Sequence, residues 1–350
     1  MRRILMAAAW ILVLGLSLRA VGVEDCCIWV DPEASLQVQI DAAPPGSTLC
    51  LPEGTWRENL VIDKPLTLRG QGPERTIIQA AIIQDGGWLP PVLWVKGPRT
   101  GRPVSVVVEG LTLLGRTTVA WDGRGFEMTV NEGLLASGMA HVMLHNCHIL
   151  EALHGILLLD SAQALVSNTR IQGREVRRFR GTGISLLGRS QAMVVQSTIA
   201  QVADGIVVEG GAQVTVHQST IEHTACGVRV RDDAQAIITQ TRVAESEDGV
   251  VLSERAQARI ADCTIVGNKV GVALLHHSSV VLTDNLIAEN STYGVLLALH
   301  DPRLWFAGFV FGANNVIPGP EEPGANLYGA VYLDDISFLM TKEGGVYPQR

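Results

Sequence analysis

The stretch DDAQAIITQTRV (Asp232–Val243) places a small residue and a glutamine before alternating apolar residues, and close copies of it recur along the chain. A sequence segment that recurs in this way indicates stacked structural repeats. The copies are SAQALVSNTRI (161–171), SQAMVVQSTI (190–199), GAQVTVHQSTI (211–221) and RAQARIADCTI (255–265), with looser versions in MAHVMLHNCHI (139–149) and SSVVLTDNLI (278–287).

Glycines mark the period of the repeat. Five of the seven intervals between successive repeat glycines are 22 residues, one is 23 and one is 28. Within a repeat, Val228 and Val230 alternate with Arg229 and Arg231, which predicts strands and excludes a helical solenoid. This period predicts an all-β fold, a right-handed single-stranded parallel β-helix with three sheets and coils of about 22 residues. The repeat glycines are Gly133, Gly155, Gly183, Gly205, Gly227, Gly249, Gly271 and Gly294.

Equivalent positions of the repeat form columns in such a fold. A column of alanine and serine predicts a corner too tight for larger side chains. The glutamines beside it predict a solvent-facing ladder of stacked amides, and the functional alternative for them is a sugar-binding strip. The small residues are Ala162, Ser190, Ala212, Ala234, Ala256 and Ser278; the glutamines are Gln163, Gln191, Gln213, Gln235 and Gln257. The predicted core columns are Val166, Val194, Val216, Ile238, Ile260, Leu282 and Ile171, Ile199, Ile221, Val243, Ile265, Ile287.

The less regular region before the repeats carries a second pattern. PPGSTLCLPEGTWRENLVIDKPLTLRGQGPERTIIQ (44–79) alternates strand and turn residues. This segment resembles the N-terminal part of right-handed parallel β-helix proteins of the pectin-lyase-like class, and with the repeats the resemblance covers residues 33 to 340. It implies a β-helix but no single activity, because the class includes lyases, esterases, hydrolases, epimerases and noncatalytic relatives. We expect a short capping helix within 33–42 and a last coil at 329–339.

The N-terminus predicts export. After Met-Arg-Arg comes the apolar stretch ILMAAAWILVLGLSL (4–18), followed by small residues at Ala20 and Gly22. We interpret 1–22 as a secretory signal peptide; an uncleaved anchor helix is the alternative, although the apolar stretch is short for a membrane span. The remainder, 23–350, is predicted to be one β-helix domain with irregular coils at 44–132, regular repeats at 133–317 and a C-terminal coil and cap at 318–350. We expect a secreted or periplasmic protein without a stable membrane span.

The net charge limits the class of partner that the protein can bind. Removal of residues 1–22 takes away three arginines and no acid, so the formal net charge falls from −8 to about −11, which disfavours nucleic acid as a partner.

All six cysteines lie in the exported part, where disulfides persist. A bridge from Cys26 or Cys27 to Cys50 is expected. Cys147 and Cys263 share a column of small semi-polar residues and are predicted to be buried thiols.

Three insertions lengthen the turn before the repeat glycine, at 114–132, 172–182 and 318–328, and they should emerge from one edge of the solenoid. We predict a groove with the first two as walls and Glu151 and His154 on its floor. The walls offer apolar faces for sugar rings and cations for carboxylates or sulfates. The candidate binding residues are Trp121, Arg124, Phe126, Arg174, Arg177, Arg178 and Arg180.

Signals for catalysis are sparse. Candidate acid or base groups are Glu151, His154, Asp204 and Asp248; the two aspartates are two coils apart, roughly 10 Å, which only loosely suits an inverting carboxylate pair. Each of these acids is also explained as a solvated turn residue. The histidines do not form a metal pattern, so no metal or other cofactor is expected.

Three hypotheses remain. The first is a noncatalytic β-helix that binds a polysaccharide or a cell-surface component through loops on one edge. The second is a polysaccharide-active enzyme, a uronide lyase, an epimerase or a hydrolase. The third is a structural or assembly protein of the cell envelope, in which an apolar outward column is covered by a terminal segment or another subunit. That column is Leu157, Ser185, Val207, Arg229, Val251, Ala273 and Leu296.

Overall fold

The computed structural model describes residues 27–81, 89–116, 118–121, 126–129, 131–173, 181–298, 309–326, 329–333, 339–341 and 346–347, with the backbone alone for 118–121, 126–129, 298 and from 329 onward. The expected signal peptide lies outside these residues. Within the described part of the chain, no helix is long and apolar enough to cross a membrane.

The chain winds through three parallel sheets, which we name A, B and C, and adds one strand to each sheet per coil. Each strand pairs with its equivalent in the preceding and following coils, as Gln213 does with Gln191 and Gln235. The predicted right-handed parallel β-helix is confirmed. Because each strand of a regular coil pairs with its equivalents in the neighbouring coils, the pattern can repeat along one axis.

Sheet A has 14 strands among the described residues, sheet C has 11 and sheet B has 10. Sheet A contains Cys27–Trp29, Thr48–Cys50, Leu66–Arg69, Val104–Glu109, Ala140–His145, Gln163–Ser167, Gln191–Val195, Gln213–His217, Gln235–Thr239, Gln257–Ala261, Ser279–Thr283, Phe309–Ala313, Leu339–Thr341 and Val346–Tyr347. Sheet B contains Gly54–Arg57, Thr76–Gln79, Thr112–Leu114, His148–Leu150, Arg170–Gln172, Thr198–Ala200, Thr220–Glu222, Arg242–Ala244, Thr264–Val266 and Leu286–Ala288. Sheet C contains Leu60–Ile62, Leu93–Lys96, Leu134–Ser137, His154–Leu158, Thr182–Leu186, Asp204–Val208, Cys226–Val230, Asp248–Leu252, Val270–Leu275, Tyr293–Ala298 and Gly329–Leu333.

The core is the space enclosed by the three sheets. The two predicted inward columns are buried, with Val216, Ile221 and Ile238 completely inaccessible. Burial of such β-branched side chains contributes about 1.5–3 kcal/mol each relative to exposure. The small residues at the corner between sheets C and A, including Ala212 and Ala234, are also fully buried, as expected of a tight corner.

Polar ladders stabilise the other two corners. At the corner between sheets A and B, Ser197 N donates to Ser219 Oγ at 3.2 Å and Cys263 N donates to Asn285 Oδ1 at 2.9 Å. Cys147 and Cys263 belong to this column and are buried free thiols, as expected. Each of these contacts satisfies a backbone donor that would otherwise be buried without a partner.

The corner between sheets B and C contains a ladder of buried asparagines. Asn268 Nδ2 donates to Asn290 Oδ1 at 3.1 Å, and Asn290 Nδ2 donates to Asn326 Oδ1 at 2.9 Å. Asn326 belongs to the third insertion, which therefore continues the corner even though its length departs from the repeat.

A different set of amides forms the surface ladder that the sequence assigned to the glutamine column. Gln218 Nε2 donates to Gln240 Oε1 at 3.0 Å in the turn from sheet A to sheet B, where both residues have positive φ. The predicted column from Gln163 to Gln257 is in register, but among the described residues none of its five side chains makes a hydrogen bond. Its exposed amides therefore remain available to solvent or a ligand.

The repeat glycines are needed because there is no space for a Cβ atom at these positions. A Cβ on Gly227 would lie 2.5 Å from the carbonyl oxygen of Gly249 and 2.6 Å from Cγ1 of Val243. The strand pairing is also interrupted at this position, since Asp204 pairs with Cys226 and Ile206 with Val228. The glycine column thus allows each coil to approach the next where the chain enters sheet C.

The N-terminal end of the core is closed by the helix Leu36–Ala42, α1, which begins after its N-cap Ser35. The Glu58 carboxylate accepts hydrogen bonds from Leu36 N at 2.7 Å and Gln37 N at 3.0 Å. Of the two expected bridges, the structure contains Cys27–Cys50, with the two Cα atoms 5.8 Å apart. The disulfide fastens the first strand of sheet A to the second.

We predict that Gly227→Ala lowers the free energy of unfolding by about 1–3 kcal/mol, because both atoms near the new methyl belong to the packed interior. Gly211→Ala is the matched control, since its Cβ would find only Gly188 O, at 3.5 Å. Denaturant unfolding followed by far-UV circular dichroism compares the two variants. Equal stabilities would contradict the steric role of the glycine column.

Candidate functional site

The three insertions leave the solenoid at the edge between sheets B and C, as predicted. The first connects Thr112–Leu114 of sheet B to Leu134–Ser137 of sheet C, and the second connects Arg170–Gln172 to Thr182–Leu186. The third folds back on this edge, where Glu289 N donates to Gly324 O at 2.8 Å. We call this boundary the B–C edge.

The first insertion contains an antiparallel hairpin of Thr118–Trp121 and Phe126–Thr129, where the sequence predicted a loop. Trp121 and Phe126 are cross-strand partners at its turn, and their side chains lie outside the described part of the chain. The five predicted binding arginines also lie outside it: Arg124, Arg174, Arg177, Arg178 and Arg180. The groove walls therefore remain a prediction.

The predicted floor residues lie in one turn and at the start of the strand that follows it. Glu151 has a positive φ of 56° in the turn itself, whereas His154 begins the next strand of sheet C. His154 Nδ1 lies 3.1 Å from Ser185 Oγ, and burial lowers the pKa of the imidazole. Because desolvation disfavours the cation, the neutral form of the His154 imidazole is favoured, and this form can donate or accept a hydrogen bond.

The column that begins with His154 continues in register through Thr182, Asp204, Cys226 and Asp248. The Asp204 carboxylate is held by Arg229, which donates from Nε at 3.1 Å and from Nη2 at 2.9 Å, both to Oδ1. Both side chains are partly exposed. Since the guanidinium engages this carboxylate directly, Asp204 is held in one orientation.

Asp248 differs from Asp204 in its environment. Burial raises its pKa, and the nearby Glu247 adds to this, while Arg229 and Lys269 oppose it. Cys226 lies between the two aspartates and is fully buried, and burial raises the pKa of its thiol to about 12. The thiol is therefore protonated at neutral pH and is not an activated nucleophile.

The outward column on sheet C is not the exposed apolar face that its composition suggested. Val207, Val251 and Ala273 are only 8%, 5% and 5% exposed in the single chain. They lie apart from the main core, and Val251 and Ala273 form a small outer cluster with Cys226 and Val270. The chain itself buries these side chains, so a second subunit is not needed to cover them.

Sequence reasoning missed an open cleft of about 720 Å³ that follows the B–C edge. It extends from the coil of Gln201 to that of Ser291, four strand spacings or roughly 19 Å. Its lining residues are Gln201, His223, Thr224, Glu245, Ser246, Glu247, Gly267, Asn268, Lys269 and Ser291. The cleft lies immediately beside the column that contains Asp204 and Asp248.

The polar character of this cleft follows from its turns. Gln201, His223 and Glu245 occupy equivalent turn positions with φ between 53° and 57° in successive coils. His223 Nε2 lies 3.2 Å from Glu245 Oε2, and both side chains are about half exposed. Lys269 is anchored through its backbone N–H, which donates to Glu247 O at 2.8 Å, while its side chain is exposed. The sequence signal for this surface was the polar residue that recurs after the short sheet B strand of each coil.

Among the described residues no three His, Cys, Asp or Glu side chains form a group that could hold a metal ion.

Comparison with known proteins places the chain in a family. The model described as right-handed beta helix region matches residues 132–291 and 204–317, which together span more than half of the sequence. The chain belongs to this right-handed β-helix family. No curated protein sequence matches it.

Solved structures share the fold at low sequence identity. A polygalacturonase from Erwinia carotovora ssp. carotovora is 10% identical with a TM-score of 0.63, over 90% of this chain and 99% of the other. An alginate lyase from Paenibacillus sp. str. FPU-7 is 14% identical with a TM-score of 0.54, over 88% and 99%. The A-module of the mannuronan C-5 epimerase AlgE6 from Azotobacter vinelandii is 17% identical with a TM-score of 0.51, over 84% and 91%.

We predict opposite effects on stability for two substitutions in the aspartate column. The folded chain holds the Asp248 proton more tightly than the unfolded chain, so this group favours folding below the ordinary aspartate pKa of about 4 and loses that contribution as the pH rises through its elevated folded-state pKa. Asp248→Asn should therefore raise the melting temperature at pH 7, and the gain should shrink toward pH 3.

Asp204→Asn is the matched variant. It removes the carboxylate that pairs with the half-buried Arg229, so it should lower the melting temperature at pH 7. Thermal unfolding of both variants between pH 3 and pH 8 makes the comparison. A loss of stability in Asp248→Asn at pH 7 would show that the Asp248 carboxylate is stabilised in the fold.

Proposed function

We propose that this protein is an exported β-helix that binds a polysaccharide through the cleft on the B–C edge. The observation that carries the proposal is the cleft itself, which is elongated, open and lined by polar side chains from successive coils. A linear glycan of several sugar units can lie along such a surface and exchange hydrogen bonds with each coil. The acids, amides, histidine and lysine offer both donors and acceptors.

Two further points support a polysaccharide ligand. The fold is shared with proteins named as a polygalacturonase, an alginate lyase and a mannuronan epimerase. The predicted arginine loop at 172–182 belongs to the same edge and would add positive charge beside the cleft. With that loop, the site would accept acidic as well as neutral sugars.

The test is binding of residues 23–350 to an array of neutral and acidic polysaccharides, with the double variant His223→Ala/Lys269→Ala. We expect the affinity for the best ligand to fall about ten-fold or more, because two polar contacts are lost. The control is Arg255→Ala, which also removes one positive charge but lies at the corner between sheets C and A, where Arg255 pairs with Asp233 at 2.7 Å. Equal affinities of the cleft variant and the control would reject the site.

The aspartate column favours a second candidate function, hydrolysis of the bound glycan. Asp248, with its raised pKa, would donate a proton to the glycosidic oxygen, and Asp204 would accept a proton from the attacking water. Two strand spacings separate the residues by roughly 10 Å, just beyond the separations of about 6.5–9.5 Å found in inverting carboxylate pairs. The ion pair with Arg229 orients the Asp204 carboxylate but also occupies one of its oxygens.

Prolonged incubation on the same array distinguishes binding from hydrolysis. If the column is catalytic, new reducing ends appear, Asp248→Asn abolishes them and the exposed Asp233→Asn leaves them unchanged. An ultraviolet-absorbing unsaturated product would instead indicate a lyase. Binding with intact glycans would leave recognition as the function.

A further inference from the structure

The outer face of sheet A carries an unpaired column of amides. Gln191, Gln213, Gln235 and Gln257 are exposed, and Gln163 is half-buried. Neighbouring members are strand partners, so their amides repeat at the strand spacing of about 4.8 Å. In contrast to Gln218 and Gln240, these side chains make no hydrogen bonds within the described residues.

A mainly apolar column runs beside the amides on the same face, two residues further along each strand. It contains Leu165, Met193, Thr215, Ile237, Arg259, Val281 and Phe311, in register from coil to coil. Most of these side chains are only half-buried, and Val281 and Phe311 are 41% and 45% exposed. Successive coils therefore present an amide edge and a mainly apolar surface next to each other.

Aromatic rings occupy both columns toward the C-terminal end of sheet A, in the strand Phe309–Ala313. Ser279 follows Gln257 in the amide column, and Phe309 follows Ser279. The rings of Phe309 and Phe311 have centroids 6.4 Å apart and planes inclined by 20°, and each residue is 45% exposed. Two adjacent, nearly parallel phenylalanines exposed on the outer face of a sheet form an apolar patch of the kind that marks an interaction site.

We propose that this face, named here the amide strip, is a second polysaccharide-binding site that takes an uncharged linear glycan lying along the helix axis. A pyranose ring has hydroxyl groups at its rim and C–H groups on its faces, which match the amide and apolar columns. Amides serve as donor and acceptor at once, and aromatic rings pack on sugar faces. Arg259 is the one charged side chain in the two columns, so the strip suits a neutral polymer better than an acidic one.

The amide strip is separate from the cleft, and it does not depend on the function proposed there. Sheet A is a different wall of the solenoid from the B–C edge. A protein with both sites would hold one glycan on its flat face while its edge engages another. The two proposals can therefore fail independently.

The test is affinity electrophoresis of residues 23–350 in gels containing hydroxyethyl cellulose or soluble mannan, with carboxymethyl cellulose as the charged comparison. The strip variant is Gln213→Asn/Gln235→Asn, and the matched control is Gln218→Asn/Gln240→Asn, which shortens two exposed amides in the same two coils. Asparagine tolerates the positive φ of the control positions. Phe309→Ala is a second, independent strip variant.

We expect a neutral polymer to retard the wild-type protein, and each strip variant to bind it about ten-fold more weakly while the control binds as the wild type does. The cleft variant His223→Ala/Lys269→Ala should keep this binding. The proposal is overturned if neither neutral polymer retards the wild type, if only the charged polymer does, or if the control loses as much affinity as the strip variant. Sedimentation that shows a dimer dissociated by Phe309→Ala would assign the face to a second copy instead.

Discussion

Every part of this molecule depends on the in-register stacking of one coil on the next. A strand in a parallel sheet must find its backbone partners in neighbouring strands, and in the repeated coils these partners are the equivalent residues of adjacent coils. The same residue is therefore placed above itself along the whole solenoid. A favourable contact between equivalent residues therefore recurs in every coil, and a steric clash would recur in the same way.

The corners show how this constraint selects residues. At Gly227 the coils approach so closely that only glycine avoids overlap with the next carbonyl group. At the corners between sheets A and B and between sheets B and C, buried serine, threonine and asparagine side chains accept the backbone N–H of the preceding coil, as Asn290 does for Asn268. These residues are polar because buried backbone donors need acceptors, and small or short because the turn has little space. Functional residues can therefore occupy the outward-facing surfaces, where packing between coils restricts the choice of side chain least.

Two surfaces fit that description, and they differ in chemistry. The cleft on the B–C edge combines acids, a histidine and a lysine, with the half-buried Asp248 beside it. The amide strip on sheet A has uncharged amides, apolar side chains and two phenylalanines. Because both are built from columns, each offers a linear array of groups along the helix axis, which is the geometry that an extended polymer requires.

The sequence by itself determined the fold, the inward columns, the buried thiols at Cys147 and Cys263, and the edge from which the insertions emerge. These features follow from the 22-residue period and the alternation within each strand, which are local and visible in the residue order. The position of the cleft, the ion pair of Asp204 with Arg229 and the raised pKa of Asp248 were decided only by the tertiary structure. Burial and hydrogen-bond pairing depend on how side chains from successive coils lie together. The repeat stacks Gln213 on Gln235 and Gln218 on Gln240 in the same way, although only the second pair is hydrogen-bonded.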